Sequence, residues 1–173
     1  MKAPDGTYMD VVFGSSTNKL FDKIIKEFGL EKDFKDDYHC TIIYSKKYLP
    51  YLKTSKGDKQ VEAKANSKIN KLVKIKDFGH FKTPEGKNLH IVLDCPYCKT
   101  EFARTIKAGA TTDYPEYVAH VTLMYNCKDF DLDFKKNKDL TKKFIGQKVE
   151  IVEERISPLN TNWVEDSKKK DND

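Results

Sequence analysis

Hydrophobic and polar positions divide the first part of the chain into a strand and a helix. Residues Thr7 to Phe13 form an extended run rich in β-branched and aromatic side chains, which is typical of a strand. From Ser15 to Phe28 the apolar residues recur at helical spacing, a serine or threonine can cap the start, and Gly29 ends the pattern. A strand followed by an amphipathic helix is therefore predicted.

The remainder of the chain repeats this order with additional strands. A second helix is predicted from Pro96 to about Lys107, and a short third one near residues 140–144. The predicted further strands are YHCTIIYS, NKLVKIKDFGHF, NLHIVLDC, AHVTLMY and QKVEIVEERISP, with a hairpin between the second and third of these. A strand, a helix and a strand thus occur twice. This order predicts an α+β fold with two similar lobes, each of antiparallel sheet plus helix, around a central cleft.

Length and composition predict one domain. A chain of 173 residues can bury most of the surface its unfolded form exposes, and 10 Phe, 9 Tyr and 1 Trp supply large core side chains. We expect a single bilobal domain over residues 1–164 and a disordered charged tail, EDSKKKDND, over residues 165–173. No long apolar patch or heptad is evident, and a monomer is expected.

The four cysteines are expected to be free thiols of a soluble cytoplasmic protein. The start MKAPDGTYMD has no apolar signal core, and no run approaches the roughly 18 apolar residues of a membrane span. The CPYC stretch, Cys95 to Cys98, has the spacing of redox and zinc sites, but a zinc ribbon needs a second pair of this kind. Because Pro96 suits a first helical turn, CPYC is interpreted as a structural helix start.

The positive charge is concentrated in one segment. The net charge is +5, and the segment from Lys46 to Lys76 contains ten Lys but only two acidic residues, Asp58 and Glu62. A solvated surface is the simpler interpretation of this segment. The alternative is a field that attracts phosphates toward a nearby site.

One seven-residue pattern occurs twice in a chain with 4 His: HCTIIYS from His39 and HVTLMYN from His120. Each copy follows a predicted strand and helix. In a strand, residues i and i+2 point to the same face, so His39 projects with Thr41 and His120 with Thr122. If the two lobes are related by a pseudo-two-fold axis, the two imidazoles, each beside a hydroxyl, are expected on opposite sides of one cleft.

This set of groups is suited to phosphodiester cleavage. One neutral imidazole can accept the proton of an attacking hydroxyl or water, while the other, protonated, donates to the leaving oxygen. The threonine hydroxyls can hydrogen-bond the nonbridging oxygens, and no metal or cofactor is needed. The alternatives are two core histidines or a two-histidine zinc site, although threonine is a poor zinc ligand. His80 and His90 lack a threonine at the second following position and are interpreted as structural.

The pair HCT and HVT resembles the signature of the two-histidine (2H) phosphoesterase superfamily, in which an H-x-T/S motif occurs twice. The resemblance spans most of the chain. It implies a fold of two similar α+β lobes and metal-independent cleavage of 2′,3′-cyclic phosphates or of 2′,5′- and 3′,5′-phosphodiesters. It also implies that His39 and His120 are acid and base, and that Thr41 and Thr122 hold the phosphate.

Within the superfamily, MKAPDGTY and YHCTIIYS are most similar to the phage anti-CBASS phosphodiesterases. This resemblance implies a cyclic di- or trinucleotide substrate, cleaved at 3′–5′ linkages in the host bacterial cytoplasm, with no membrane or stable nucleic-acid partner. Such a substrate needs aromatic platforms for its bases. An RNA-end 2′,3′-cyclic or 2′,5′ phosphodiesterase and a non-catalytic nucleotide sponge remain as alternatives. The candidate platforms are Tyr8, Phe81, Tyr114, Tyr117 and Trp163.

Overall fold

The computed structural model describes residues 3–31, 37–59, 65–84, 86–125, 127 and 137–160. Within these residues the chain forms six strands and three helices. In chain order they are β1 (Gly6–Phe13), α1 (Ser15–Glu27), β2 (His39–Ser45), β3 (Ala65–Thr83), β4 (Gly86–Asp94), α2 (Pro96–Lys107), β5 (His120–Met124), α3 (Lys138–Phe144) and β6 (Lys148–Leu159).

The six strands form one closed antiparallel sheet in the order β1-β2-β5-β4-β3-β6, with β6 returning to β1. The α+β class and the antiparallel pairing are as predicted, and so is the β3–β4 hairpin. The two expected lobes are two parts of this single sheet. The unit β1-α1-β2 joins the unit β4-α2-β5 where β2 pairs with β5. The two histidine strands are therefore neighbours in the sheet and do not form opposite walls of a cleft.

Strand β3 begins earlier than the sequence pattern predicts. Residues 65–69 precede the predicted strand NKLVKIKDFGHF, but this part of the chain already pairs with β6, with Ala65 opposite Ile156. Along this strand Ser67 and Ile69 are buried whereas Asn66, Lys68 and Asn70 are exposed. Charged residues on alternate positions of a strand can face solvent while the others face the interior, so a high lysine content is compatible with a strand.

Helix α2 begins at the CPYC stretch, as predicted. Pro96 occupies the first turn, and Cys95 Sγ accepts a hydrogen bond from the Cys98 backbone N–H at 3.2 Å. All four cysteines are buried thiols that form no disulfide. The CPYC residues therefore act as a helix start.

The described part of the chain contains no helix long and apolar enough to cross a membrane.

The core lies between the helices and one face of the sheet. Phe21 on α1 contacts Phe13 and Tyr38 edge to face, with ring centroids 5.1 Å apart in each pair. Cys40 and Val121, the central residues of the two HxT motifs, are fully buried. Because alternate side chains of a strand point to opposite faces, the histidines and threonines beside them project from the other face.

Candidate active site

The two HxT motifs form a four-residue cluster across strands β2 and β5. These strands pair antiparallel with Cys40 opposite Val121. One residue to either side of this pair, the register brings His39 across from Thr122 and Thr41 across from His120. Each imidazole therefore lies opposite the hydroxyl of the other motif, and all four side chains project from one face of the sheet.

Both histidines are oriented by backbone carbonyls of residues two positions earlier. His120 Nδ1 lies 3.0 Å from the carbonyl oxygen of Val118, and His39 Nδ1 lies 3.3 Å from that of Asp37. A carbonyl oxygen can only accept a hydrogen bond, so each Nδ1 carries the proton. Each Nε2 is left with a lone pair, or with a second proton to donate when the ring is charged.

Tyr8 is connected to the first motif. Its hydroxyl forms a 2.9 Å hydrogen bond with Thr41 Oγ1, and its ring lies edge-on to His39 at 6.4 Å between centroids. Burial raises the pKa of Tyr8 well above its usual value, and the neighbouring carboxylate of Asp10 raises it further. Tyr8 therefore remains a neutral phenol that holds the Thr41 side chain in place.

His120 contacts the rings of Phe81 and His90. Each of these rings lies 5.4 Å from the His120 ring, centroid to centroid, and the two stack on each other at 4.3 Å. Burial, followed by the neighbouring His120 and His80, lowers the pKa of His90 to about 4, so His90 is neutral at physiological pH. Its Nδ1 is buried with no hydrogen-bond partner among the described residues. His90 is a packing residue, as the sequence indicates, but it packs against a motif histidine.

A pocket of about 250 Å³ adjoins this cluster. Of the motif residues, Thr41 and His120 line it. Three of the candidate platforms, Phe81, Tyr114 and Tyr117, also line it. Tyr117 stacks on Phe102 with centroids 4.7 Å apart, and its hydroxyl donates to the Thr41 carbonyl oxygen at 2.8 Å. The remaining candidate platforms are Tyr8, described above beside Thr41, and Trp163, which lies outside the described residues.

Tyr44 is a pocket residue that strand periodicity alone does not predict. Residues 41 and 44 of a regular strand point to opposite faces. The β1–β2 register shifts at a bulge, where Met9 pairs with Ile43 and the next residue of β1 with Thr41. The extra residue in β2 turns Tyr44 to the same face as Thr41, and both line the pocket.

Two acidic residues of the loop before β5 are also part of the pocket lining. Asp113 and Glu116 were not identified from the sequence because this loop has no periodic pattern. Lys46, at the start of the lysine-rich segment, lies 3.6 Å from Asp113.

Among the described residues no group of three or more His, Cys, Asp or Glu side chains is arranged to hold a metal ion.

Comparison with known proteins gives a consistent result along nearly the whole chain. The relatives named "Anti-CBASS protein Acb1" include one from Vibrio phage KVP40, 26% identical over 92% of this chain and 91% of the relative. Those of Enterobacteria phage T4 and Acinetobacter phage Ac42 are 26% and 29% identical, covering 94% and 91% of this chain and 94% and 93% of the relatives. The sequence model of the same family matches residues 5–166. The chain belongs to the anti-CBASS protein Acb1 family.

Proposed function

We propose that this protein is a metal-independent phosphodiesterase that cleaves the 3′–5′ linkages of cyclic di- and trinucleotide second messengers. The observation that carries the proposal is the antiparallel cluster of His39, Thr41, His120 and Thr122 on one sheet face beside an aromatic pocket. Membership in the anti-CBASS family supports a role in phage evasion of CBASS immunity, inside the host bacterial cell. The protein is expected to act as a monomer.

In the proposed reaction a ribose 2′-hydroxyl attacks the adjacent 3′-phosphate. One neutral imidazole takes the hydroxyl proton at Nε2, and the other, protonated imidazole gives its Nε2 proton to the departing 5′-oxygen. The bond from phosphorus to the 5′-oxygen breaks as the bond to the 2′-oxygen forms, which opens the ring and leaves a 2′,3′-cyclic phosphate. Water can then hydrolyse that product.

The hydroxyls of Thr41 and Thr122 hold the nonbridging phosphate oxygens, where charge increases in the transition state. The Tyr8 bond to Thr41 supports this role because it fixes the hydroxyl before the substrate arrives. The aromatic residues Phe81, Tyr114 and Tyr117 supply surfaces for the bases, with Tyr8 and Trp163 as further proposed contacts. Base stacking on aromatic side chains contributes about 1–3 kcal/mol per base.

A product analysis tests this function. The purified protein is incubated in excess EDTA with cyclic dinucleotides, cyclic trinucleotides and an RNA that ends in a 2′,3′-cyclic phosphate, and the products are identified by mass spectrometry. Linear products from the cyclic nucleotides, absent with His120→Ala, are expected. Intact rings together with processed RNA ends would assign the protein to RNA-end chemistry, and bound but intact rings would indicate a nucleotide sponge.

A further inference from the structure

The lining of the pocket beside Thr41 and His120 combines two chemically different sets of groups. One set is the hydroxyl and imidazole proposed to act on the phosphate. The other is the pair of carboxylates that the loop before β5 contributes, Asp113 and Glu116. Because a carboxylate repels phosphate, the neutral part of a nucleotide is better suited than its anionic part to contact these two residues.

The pocket lining also includes accessible aromatic side chains. Tyr44 is 42% exposed and Tyr114 is 70% exposed, and both line the pocket. Exposed aromatic rings provide stacking surfaces for any nucleobase, because every base has a π-face. The pocket is therefore suited to the base of the nucleotide whose phosphate lies at the HxT cluster.

The two carboxylates differ in their availability. Asp113 lies 3.6 Å from Lys46 Nζ, which offsets its charge. In the part of the chain that the structure describes, Glu116 forms no hydrogen bond or ion pair, and it is exposed at the pocket. A carboxylate accepts hydrogen bonds and donates none. Glu116 can therefore bind a base that presents an amino group.

The bases differ in what they offer to such an acceptor. Adenine, cytosine and guanine each carry an exocyclic amino group, whereas the one donor of uracil, N3–H, lies between two carbonyl oxygens that repel a carboxylate. We propose that Glu116 is a specificity-determining residue that accepts a hydrogen bond from the base amino group and disfavours uracil. This inference rests on the proposed function, because it concerns the same pocket and the same substrates.

The test is the ratio of kcat/KM for cyclic di-adenylate to that for cyclic di-uridylate. The ratio is expected to exceed one in the unmodified protein and to fall about tenfold in Glu116→Ala, as for the loss of one hydrogen bond to a charged group. Asp113→Ala removes the same charge from the same loop, and its ratio is expected to stay within about twofold. Glu116→Lys is expected to lower the ratio more than Glu116→Ala does, because an ammonium donates to a carbonyl oxygen of uracil.

Each other outcome contradicts a specific part of the account. A ratio near one in the unmodified protein, or one unchanged by Glu116→Ala while both rings are cleaved, overturns the inference and leaves the proposed function intact. Equal shifts in Glu116→Ala and Asp113→Ala overturn the assignment to Glu116, because they indicate a general effect of loop charge. If the unmodified protein cleaves neither ring, the result contradicts the proposed function itself, and the inference about Glu116 falls with it.

Discussion

The Tyr8 hydroxyl and Thr41 Oγ1 lie 2.9 Å apart and join strand β1 to the first HxT motif. Tyr8→Phe removes this hydrogen bond and retains the ring. Because the Thr41 hydroxyl then rotates more freely, kcat/KM for cyclic nucleotides is expected to fall about fivefold, the equivalent of one ordinary hydrogen bond. Steady-state kinetics of the purified variant measures this effect.

Tyr44→Phe is the matched control for Tyr8→Phe. Tyr44 is the cross-strand neighbour of Tyr8, and its hydroxyl forms no hydrogen bond in the described part of the chain. The phenylalanine keeps the aromatic surface, so kcat/KM is expected to change less than about twofold. Equal losses in the two variants would show that the Tyr8–Thr41 bond has no special role.

Gly79 provides the space that His90 occupies beside His120. The two residues are cross-strand partners, and a Cβ added at position 79 would lie 2.4 Å from His90 Nε2. Gly79→Ala must therefore displace the His90 ring and is expected to lower the free energy of unfolding by about 1–3 kcal/mol. Turnover is expected to fall as well, because His90 packs against His120. Denaturant unfolding and kinetics check both effects.

The double variant Gly79→Ala/His90→Ala separates a clash from a general loss of packing. Removing the imidazole leaves room for the new methyl group, so the double variant is expected to lose less stability than the sum of the single variants. Additive losses would mean that the alanine at position 79 destabilises the sheet independently of His90.

The buried carboxylate of Glu154 predicts a pH-dependent stability. Burial, with the neighbouring Glu101, raises the pKa of Glu154 to about 7, while hydrogen bonds from Tyr97 and the Ser55 backbone act in the opposite direction. Because the folded state binds this proton more tightly than the unfolded state, the stabilisation is complete below about pH 4.5 and is lost as the pH rises through about 7. The free energy of unfolding is expected to decrease by up to about 3 kcal/mol over this interval.

Glu154→Gln isolates this contribution, because glutamine is not ionisable and has a similar shape. Urea unfolding measured between pH 4.5 and pH 8 is expected to show a smaller decrease for the variant than for the unmodified protein. Exposed Glu116→Gln is the control and is expected to preserve the decrease. Parallel stability curves for Glu154→Gln and the unmodified protein would refute the assignment.

The secondary structure was largely predictable because each element has a local signal. Pro96 after Cys95 marks the start of α2, and the HxT repeat marks two strands with the same face pattern. The pairing of β2 with β5 was not predictable, because the contact between Cys40 and Val121 joins residues 81 positions apart. Pairing over such a separation depends on the closed sheet as a whole.

The pocket was predictable only in part for two physical reasons. A register shift between β1 and β2 turns Tyr44 toward Thr41, and strand periodicity read from one segment does not reveal a bulge. The loop that carries Glu116 has no repeating pattern, and its position depends on contacts such as that between Lys46 and Asp113. Tyr114 and Tyr117 were found because they are aromatic residues close in sequence to His120.

The most direct test of the central claim compares turnover of a cyclic dinucleotide by His39→Ala, His120→Ala and the double variant, with circular dichroism to confirm folding. His80→Ala, at an exposed position of β3, is the control and is expected to retain turnover. If the two motif histidines act as one acid–base pair, each single variant loses at least about a hundredfold in kcat and the double variant loses little more. A folded single variant that retains more than about a tenth of the original turnover would contradict the account.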